Sequence, residues 1–213
     1  MTTERIHLYS TREERLNTLT HFIAAILSII GLILMIFKIQ EKEHIIIFAM
    51  LTYIIATLLV YTSSSIYHHA RNIEKKIFWQ KIDHSMVSMI ILGTAAPSLL
   101  IIASGEIANI MLIIVTVVTF TNITLNLISV SKYKRYSQIL YLAGAIAMTI
   151  GIVVDIQEVN DNFMRLFLAG VIVIVLGSIF YMKKSKEYTH FIWHLADIIC
   201  SILHFLAFYL FIL

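Results

Sequence analysis

Charged residues are scarce in this chain of 213 residues. Asp, Glu, Lys and Arg together make up 14% of it, whereas a soluble domain usually has about 25%. Hydrophobic residues account for 59%, and the mean hydropathy is +0.87. Apolar runs of roughly 20 residues recur along the whole length, and each is long enough to cross a bilayer. The composition leaves little room for a soluble domain and predicts an integral membrane protein.

Cysteine and proline each occur once, as Cys200 and Pro97. A single cysteine excludes an intramolecular disulfide, so the redox compartment is not indicated by the sequence. Pro97 lies inside the third apolar run, where proline is tolerated and predicts a kink. A cleavable signal peptide is not expected either, because residues 1–16 carry charges of both signs and no cleavage pattern.

Seven apolar runs predict an all-α bundle of seven transmembrane helices. The predicted spans are residues 19–38, 45–69, 82–103, 107–129, 138–155, 163–182 and 189–212. Residues 1–18 are predicted to form a cytoplasmic N-terminal tail. Residues 19–213 are predicted to form one helical domain, because no connecting segment is long enough to separate two domains.

Positive charge is distributed unevenly between the two sides of this topology. The N-terminal tail and the second, fourth and sixth loops share one side, which holds 13 of the 16 Lys and Arg residues. The other side has only Lys38, Lys42 and Arg165. Positive charge in short loops marks the cytoplasmic face, so we expect the N-terminus inside and the C-terminus outside. The pI of 8.9 reflects these loops, and no nucleic-acid partner is expected.

The last span contains YTHFIWHLADIICSILHF, which is polar at helical intervals. His194 lies one turn past His190, Asp197 about two turns past it and His204 about four turns past it. Ionisable groups at membrane depth are costly and usually face a bundle interior or a wet cavity, so they are functional candidates. His204 lies about 15 Å beyond His194, and we expect it to satisfy a polar group deep in the bundle.

Three other spans place polar residues at the same end of the bundle. They are Asn17 and His21 in the first span, Ser64 and His68 in the second, and Asp83 and His84 in the third. His69 and His84 each point about 100° away from the residue before them, so only one of each adjacent pair is expected to face the cluster. On the fourth span, we interpret the stripe of Thr119, Asn122, Asn126 and Ser129 as interhelical hydrogen-bonding residues.

A metal ion would suit this cluster. A His-x3-His pair presents two imidazole nitrogens to one metal, and His68 is the best-placed third ligand from another helix. Asp83 would bind the metal directly or hold its water. Catalytic zinc usually has three protein ligands and a water, but imidazole also suits copper, iron and nickel. The competing interpretation is that these histidines simply hydrogen-bond across helices.

At these residues the chain resembles the bacterial haemolysin III family, within the wider progestin and adipoQ receptor family of seven-span proteins. The matching segments are NTLTHFIAA, SSSIYHHA, KIDHSMVSMIILGTAAP and THFIWHLADIICSILHF. The resemblance implies a zinc ion near the cytoplasmic face, held by His68, His190 and His194. It also implies that Asp83 and Ser64 contact the site. Adiponectin receptors in the family are described as ceramidase-like hydrolases, and bacterial relatives carry a haemolysin label.

Four more residues are candidates for contacts around the ligands: Asn17, His21, His84 and Asp197. Asp197 stands where the family usually has an apolar residue. It adds a carboxylate one turn below His194, where it would orient a ligating histidine.

Three functions are compatible with this pattern. The first is a zinc-dependent hydrolase of a lipid-like amide or ester in the bacterial plasma membrane, with Asp83 as general base. The second is a sensor, a regulator or a membrane-permeabilising haemolysin in which zinc only ties helices together. The third, a metal or proton transporter, is disfavoured because few polar residues continue into the outer half. Membrane lipids are the expected partners, and the sequence indicates no oligomeric state.

The orientation can be tested with reporter fusions. We expect a reporter fused after Leu213 to be active only outside the cytoplasm, because positively charged loops are retained inside. A cytoplasmic C-terminus would contradict both the topology and the assigned side of the polar cluster.

Overall fold

Seven helices make up nearly all of the computed structural model, which describes residues 9–182 and 186–213. They are α1 (Thr11–Ile39), α2 (His44–His69), α3 (Ile73–Pro97), α4 (Glu106–Ile128), α5 (Val130–Asp155), α6 (Asp161–Met182) and α7 (Thr189–Phe211). Each is long and apolar enough to cross a membrane, and the described ranges contain no strand. The prediction of an all-α, multi-pass membrane protein is confirmed. Arg5, Lys183 and Lys184, which entered the charge count, lie outside the described residues.

Three helices begin well before the predicted spans because polar side chains cap them. Ser10 accepts a hydrogen bond from the third residue of α1, and Asn72 accepts two from the first turn of α3. Ser129 caps α5 in the same way. Such caps satisfy the free N–H groups of a first turn. Hydropathy detects only the part of a helix that lies in hydrocarbon, so these polar first turns were assigned to tail and loops.

The distortion predicted at Pro97 takes the form of a π-helical turn, Ser98–Ile102, that continues α3. Proline cannot donate a main-chain hydrogen bond. The N–H of Ala103 reaches back to the carbonyl of Ser98 at 3.0 Å. The hydroxyls of Thr94 and Ser98 donate to carbonyls one turn earlier at 2.9 and 2.8 Å. The third span therefore crosses the bilayer as α3 and this turn together.

Small residues allow the close helix pairs that set the position of α3 and α7. A Cβ added to Gly93 of α3 would lie 2.6 Å from the Cβ of Ala56 of α2. A Cβ on Gly177 of α6 would overlap the Cβ of Ala196 of α7. Transmembrane helices commonly associate through such small residues, because lipid supplies no hydrophobic drive to bring them together.

The polar stripe of α4 hydrogen-bonds to α3 and α5, as predicted. Asn126 Nδ2 donates to the carbonyl of His84 at 3.2 Å, and Thr119 Oγ1 donates to the carbonyl of Ser88 at 3.3 Å. Ser137 of α5 donates to Asn126 Oδ1 at 2.9 Å. These bonds tie the first half of α3 to α4 and α5.

Polar side chains also hold α7 in place. The backbone of α7 is farther from that of α2 than the backbones of neighbouring helices are from each other. Two tyrosines of α2 bridge the gap. Tyr53 donates to the carbonyl of Ser201 at 2.7 Å, and Tyr61 donates to its hydroxyl at 2.6 Å. On the other side, His204 Nε2 donates to the carbonyl of Phe167 in α6 at 3.1 Å. His204 thus has the interhelical role that the sequence predicted.

The Gly177–Ala196 crossing should be sensitive to one added methyl. We expect Gly177→Ala to lower the thermal unfolding temperature in detergent, because neither Cβ can move without its backbone; overpacking of this kind costs about 1–3 kcal/mol. Gly144→Ala is the matched control, since its Cβ would meet only the side-chain carbons of Ile91 at 3.3 Å and Val118 at 3.8 Å. Equal melting temperatures for the two variants would contradict the packing argument.

Candidate metal centre

Three buried histidines meet between α2 and α7. His68 lies in the last turn of α2, and His190 and His194 lie in the first two turns of α7. The Nε2 of His190 is 3.3 Å from that of His68 and 3.0 Å from that of His194. One ring nitrogen from each residue lies within 4.8 Å of the others. The predicted His-x3-His pair and the third histidine are therefore brought together.

These distances fit a metal-binding group. Nitrogens that bind a tetrahedral metal at 2.0–2.1 Å lie about 3.3–3.4 Å from one another. Each imidazole nitrogen carries either one N–H or one lone pair. The Nε2 of His190 faces two other ring nitrogens, so it cannot hydrogen-bond to both. A cation accepts all three lone pairs together. Imidazole nitrogen suits several transition metals, so the geometry is compatible with a metal site and does not select the metal.

A carboxylate that sequence reasoning missed orients His68. Oε2 of Glu14 lies 2.7 Å from Nδ1 of His68, and Oε1 of Glu14 lies 2.8 Å from Nζ of Lys76. Glu14 had been assigned to an N-terminal tail, yet it lies in the first turns of α1. The available signal was its spacing of three and seven residues from Asn17 and His21, which places all three on one helix face.

Two tyrosine rings pack against His68 and His190. Tyr9, which precedes α1, stacks on His190 with ring centroids 4.7 Å apart. Burial is the main cause that raises the pKa of the Tyr9 hydroxyl above its ordinary value, and neighbouring tyrosine and glutamate charges add to it. The phenol therefore stays neutral across the physiological range. Tyr67 contacts the ring of His68 at a centroid distance of 4.6 Å. Sequence reasoning had given neither tyrosine a role.

Asn17 and His21 lie on the α1 side of the cluster. The ring of His21 stacks on His194 with centroids 3.8 Å apart and meets the edge of Tyr61 at 5.2 Å. Within the part of the chain that the structure describes, neither ring nitrogen of His21 and neither amide atom of Asn17 has a hydrogen-bond partner, although both residues are buried. Buried polar groups of this kind are usually satisfied by ordered water.

Asp83 lies on α3, the helix that follows the one carrying His68. Its carboxylate interacts electrostatically with His68 and His21. Its Oδ2 is also 3.4 Å from Nδ1 of the adjacent His84. The carbonyl of His84 accepts a hydrogen bond from Tyr141 of α5 at 2.6 Å, so α5 helps to hold this part of α3. Asp83 thus adds a negative charge that acts on the cluster from a helix carrying none of the three histidines.

Ser64 and Asp197 lie on the two helices that carry the three histidines. Ser64 is buried one turn before His68 on α2. Asp197 is half-buried on α7, and its main-chain carbonyl accepts a hydrogen bond from Tyr61 at 3.1 Å. Its carboxyl group and that of Asp83 repel each other when both are ionised.

Known proteins of similar sequence match most of this chain. A family model described as haemolysin-III related matches residues 9–205. A protein named Hemolysin-3 from Bacillus cereus is 28% identical over 187 residues, covering 86% of this chain and 84% of that protein. A Hemolysin-3 homolog from Bacillus subtilis (strain 168) is 30% identical over 189 residues, covering 88% of each. A multi-pass membrane protein with bacterial relatives of this kind is expected in the plasma membrane. The chain belongs to the haemolysin-III related family.

Proposed function

We propose that this protein is a zinc-dependent hydrolase that cleaves an amide or ester bond in a lipid-like substrate. The observation that carries the proposal is the convergence of three buried imidazole nitrogens from α2 and α7. Three histidines that leave a fourth position open are a ligand set of catalytic zinc sites. A zinc ion bound there would lower the pKa of a coordinated water towards about 7 and polarise a substrate carbonyl.

Asp83 is the general base in this proposal. Its charge already acts on His68 and His21, and it lies on α3, which contributes no nitrogen to the cluster. A carboxylate in that position accepts a proton from a water molecule at the centre. Ser64, one turn before His68 on the same helix face, would hydrogen-bond the same water or the substrate carbonyl.

The surroundings of the site support a lipid-like substrate. An apolar cavity of about 230 Å³ lies between α1, α2 and α7, and its lining includes Ala24, Gly31 and Tyr61. Tyr61 contacts His21, which stacks on His194. An acyl chain in this cavity would enter from the bilayer while its polar end reached the histidines. The positive-inside rule places that polar end at the cytoplasmic face.

The names of the relatives favour a second candidate. Both similar Bacillus proteins are named as haemolysins. In that case the protein permeabilises membranes, and the metal ties α2 to α7 without activating water. The two candidates differ in whether Asp83 is needed for the activity or only for the fold.

The first prediction here concerns the metal. We expect purified protein to hold about one zinc per chain, as measured by elemental analysis, and Ala at His68, His190 or His194 to remove most of it. His69→Ala is the matched control, because its side chain is more exposed at the end of α2 and outside the three-histidine group. Full zinc content in the His190→Ala, His194→Ala double variant would exclude this metal site.

A second prediction separates hydrolase from haemolysin. We expect Asp83→Asn to keep most of the zinc, because the three imidazoles remain, and to lower turnover by about 10²–10⁴-fold, because an amide cannot accept the proton. Glu74→Gln, an exposed change on the same helix, is the control. Fatty-acid release from ceramide-like and lysolipid substrates would be measured beside dye leakage from liposomes.

Opposite results would favour the haemolysin. The wild type would then release dye but no fatty acid from any substrate in the panel, and zinc-loaded Asp83→Asn would release dye as fast as the wild type.

A further inference from the structure

We infer that Glu14 is a positioning residue for the metal centre: it holds the ring of His68 in the orientation and protonation that metal binding requires. The inference rests on the proposed metal site and goes beyond it, because Glu14 contributes no atom to the group of three nitrogens. The geometry comes from three helices, since Glu14 lies on α1, His68 on α2 and Lys76 on α3.

The contact between Glu14 and His68 determines which ring nitrogen carries the proton. An ionised carboxylate only accepts hydrogen bonds. With Oε2 of Glu14 at 2.7 Å, Nδ1 of His68 is therefore the N–H donor. Nε2 then carries the lone pair, and this is the nitrogen that lies 3.3 Å from Nε2 of His190. A carboxylate behind a ligating histidine also fixes the ring plane and raises the basicity of the ligand.

Lys76 pairs with the same carboxylate and fixes its position. Its Nζ lies 2.8 Å from Oε1 of Glu14, donates to the carbonyl of Tyr67 at 3.3 Å and sits 4.7 Å from the Tyr67 ring centroid. The side chain of Lys76 is only 5% exposed, so its charge has little water to stabilise it and needs this partner. Each oxygen of Glu14 thus faces one donor.

This arrangement makes glutamine a poor substitute for Glu14. A glutamine amide has one oxygen and one NH2 group. Whichever way it is turned, the NH2 group would face another donor, either Nδ1–H of His68 or the ammonium of Lys76. The adjacent Glu13 offers a matched comparison, because it carries the same charge one residue away and is rotated by about 100° around the helix. One of its carboxylate oxygens has no hydrogen-bond partner among the described residues.

The test measures metal binding and does not depend on any enzymatic activity. Zinc affinity of the purified full-length chain in detergent would be measured by competition with a chelator for the wild type, Glu14→Ala, Glu14→Gln, Lys76→Met and Glu13→Gln. We expect Glu14→Ala to weaken zinc binding by about 10- to 100-fold, the usual effect of losing such a partner. Glu14→Gln and Lys76→Met should follow in the same direction, and Glu13→Gln should bind like the wild type.

Two further measurements separate positioning from a general loss of structure. The metal-free Glu14→Gln and Lys76→Met proteins should each unfold in one cooperative transition, at a lower temperature than Glu13→Gln, because both break the Glu14–Lys76 pair. The visible spectrum of bound Co²⁺ should change in Glu14→Ala towards that of His68→Ala, because the same ring is released, and should be unchanged in Glu13→Gln.

The inference would be overturned if Glu14→Ala bound zinc within about twofold of the wild type, or if Glu13→Gln weakened binding equally. A wild-type chain that bound neither zinc nor cobalt would overturn the proposed metal centre itself, and this inference with it.

Discussion

The cost of placing polar and ionisable groups in hydrocarbon shapes this protein more than any other constraint. Such groups must find partners inside the bundle or lie at its ends. Most of the ionisable side chains within the helices meet in one layer, where α1 and α7 begin, α2 ends and α3 begins. The outer faces of the helices carry exposed Ile, Leu, Val and Phe, as expected for surfaces that contact lipid.

Within that layer, the polar contacts add to the packing that holds the helices together. Glu14 links α1 to α2 and α3, and the three histidines link α2 to α7. A metal ion bound by those histidines would therefore connect the first half of the chain with its last helix. Metal binding and bundle stability are coupled for this reason, since a ligand that binds only the folded state stabilises it.

The chemistry available at the site depends on residues that surround the three histidines and contribute no nitrogen to the group. Asp83 supplies a charge from α3, and its position depends on hydrogen bonds that α4 and α5 make to the next residue. On the opposite side, Asn17 and His21 are buried beside His194 with unsatisfied polar atoms among the described residues. The proposed hydrolysis would require a base and a bound water, whereas a purely structural metal needs neither.

Much of this architecture was predictable from the sequence. Seven apolar runs of span length determine seven helices, because backbone polar groups in a bilayer can be satisfied only within a helix or a closed barrel. Helical periodicity put His190 and His194 on one face. Counting spans then brought His68 and Asp83 to the same end. These predictions depend on local spacing and on the direction of each helix, and the sequence determines both.

Only the tertiary structure decided which side chains face one another within that layer. Hydropathy assigned Glu14 and Lys76 to a tail and a loop, because it does not register helical turns that are polar and capped by Ser10 or Asn72. The stacking of His21 on His194, and the bridging of α2 and α7 by Tyr53 and Tyr61, depend on helix rotation and separation. Helix rotation and separation depend on close packing at small residues such as Gly93 and Gly177. Their partners are far away in the chain, so the sequence around each glycine does not reveal the contact.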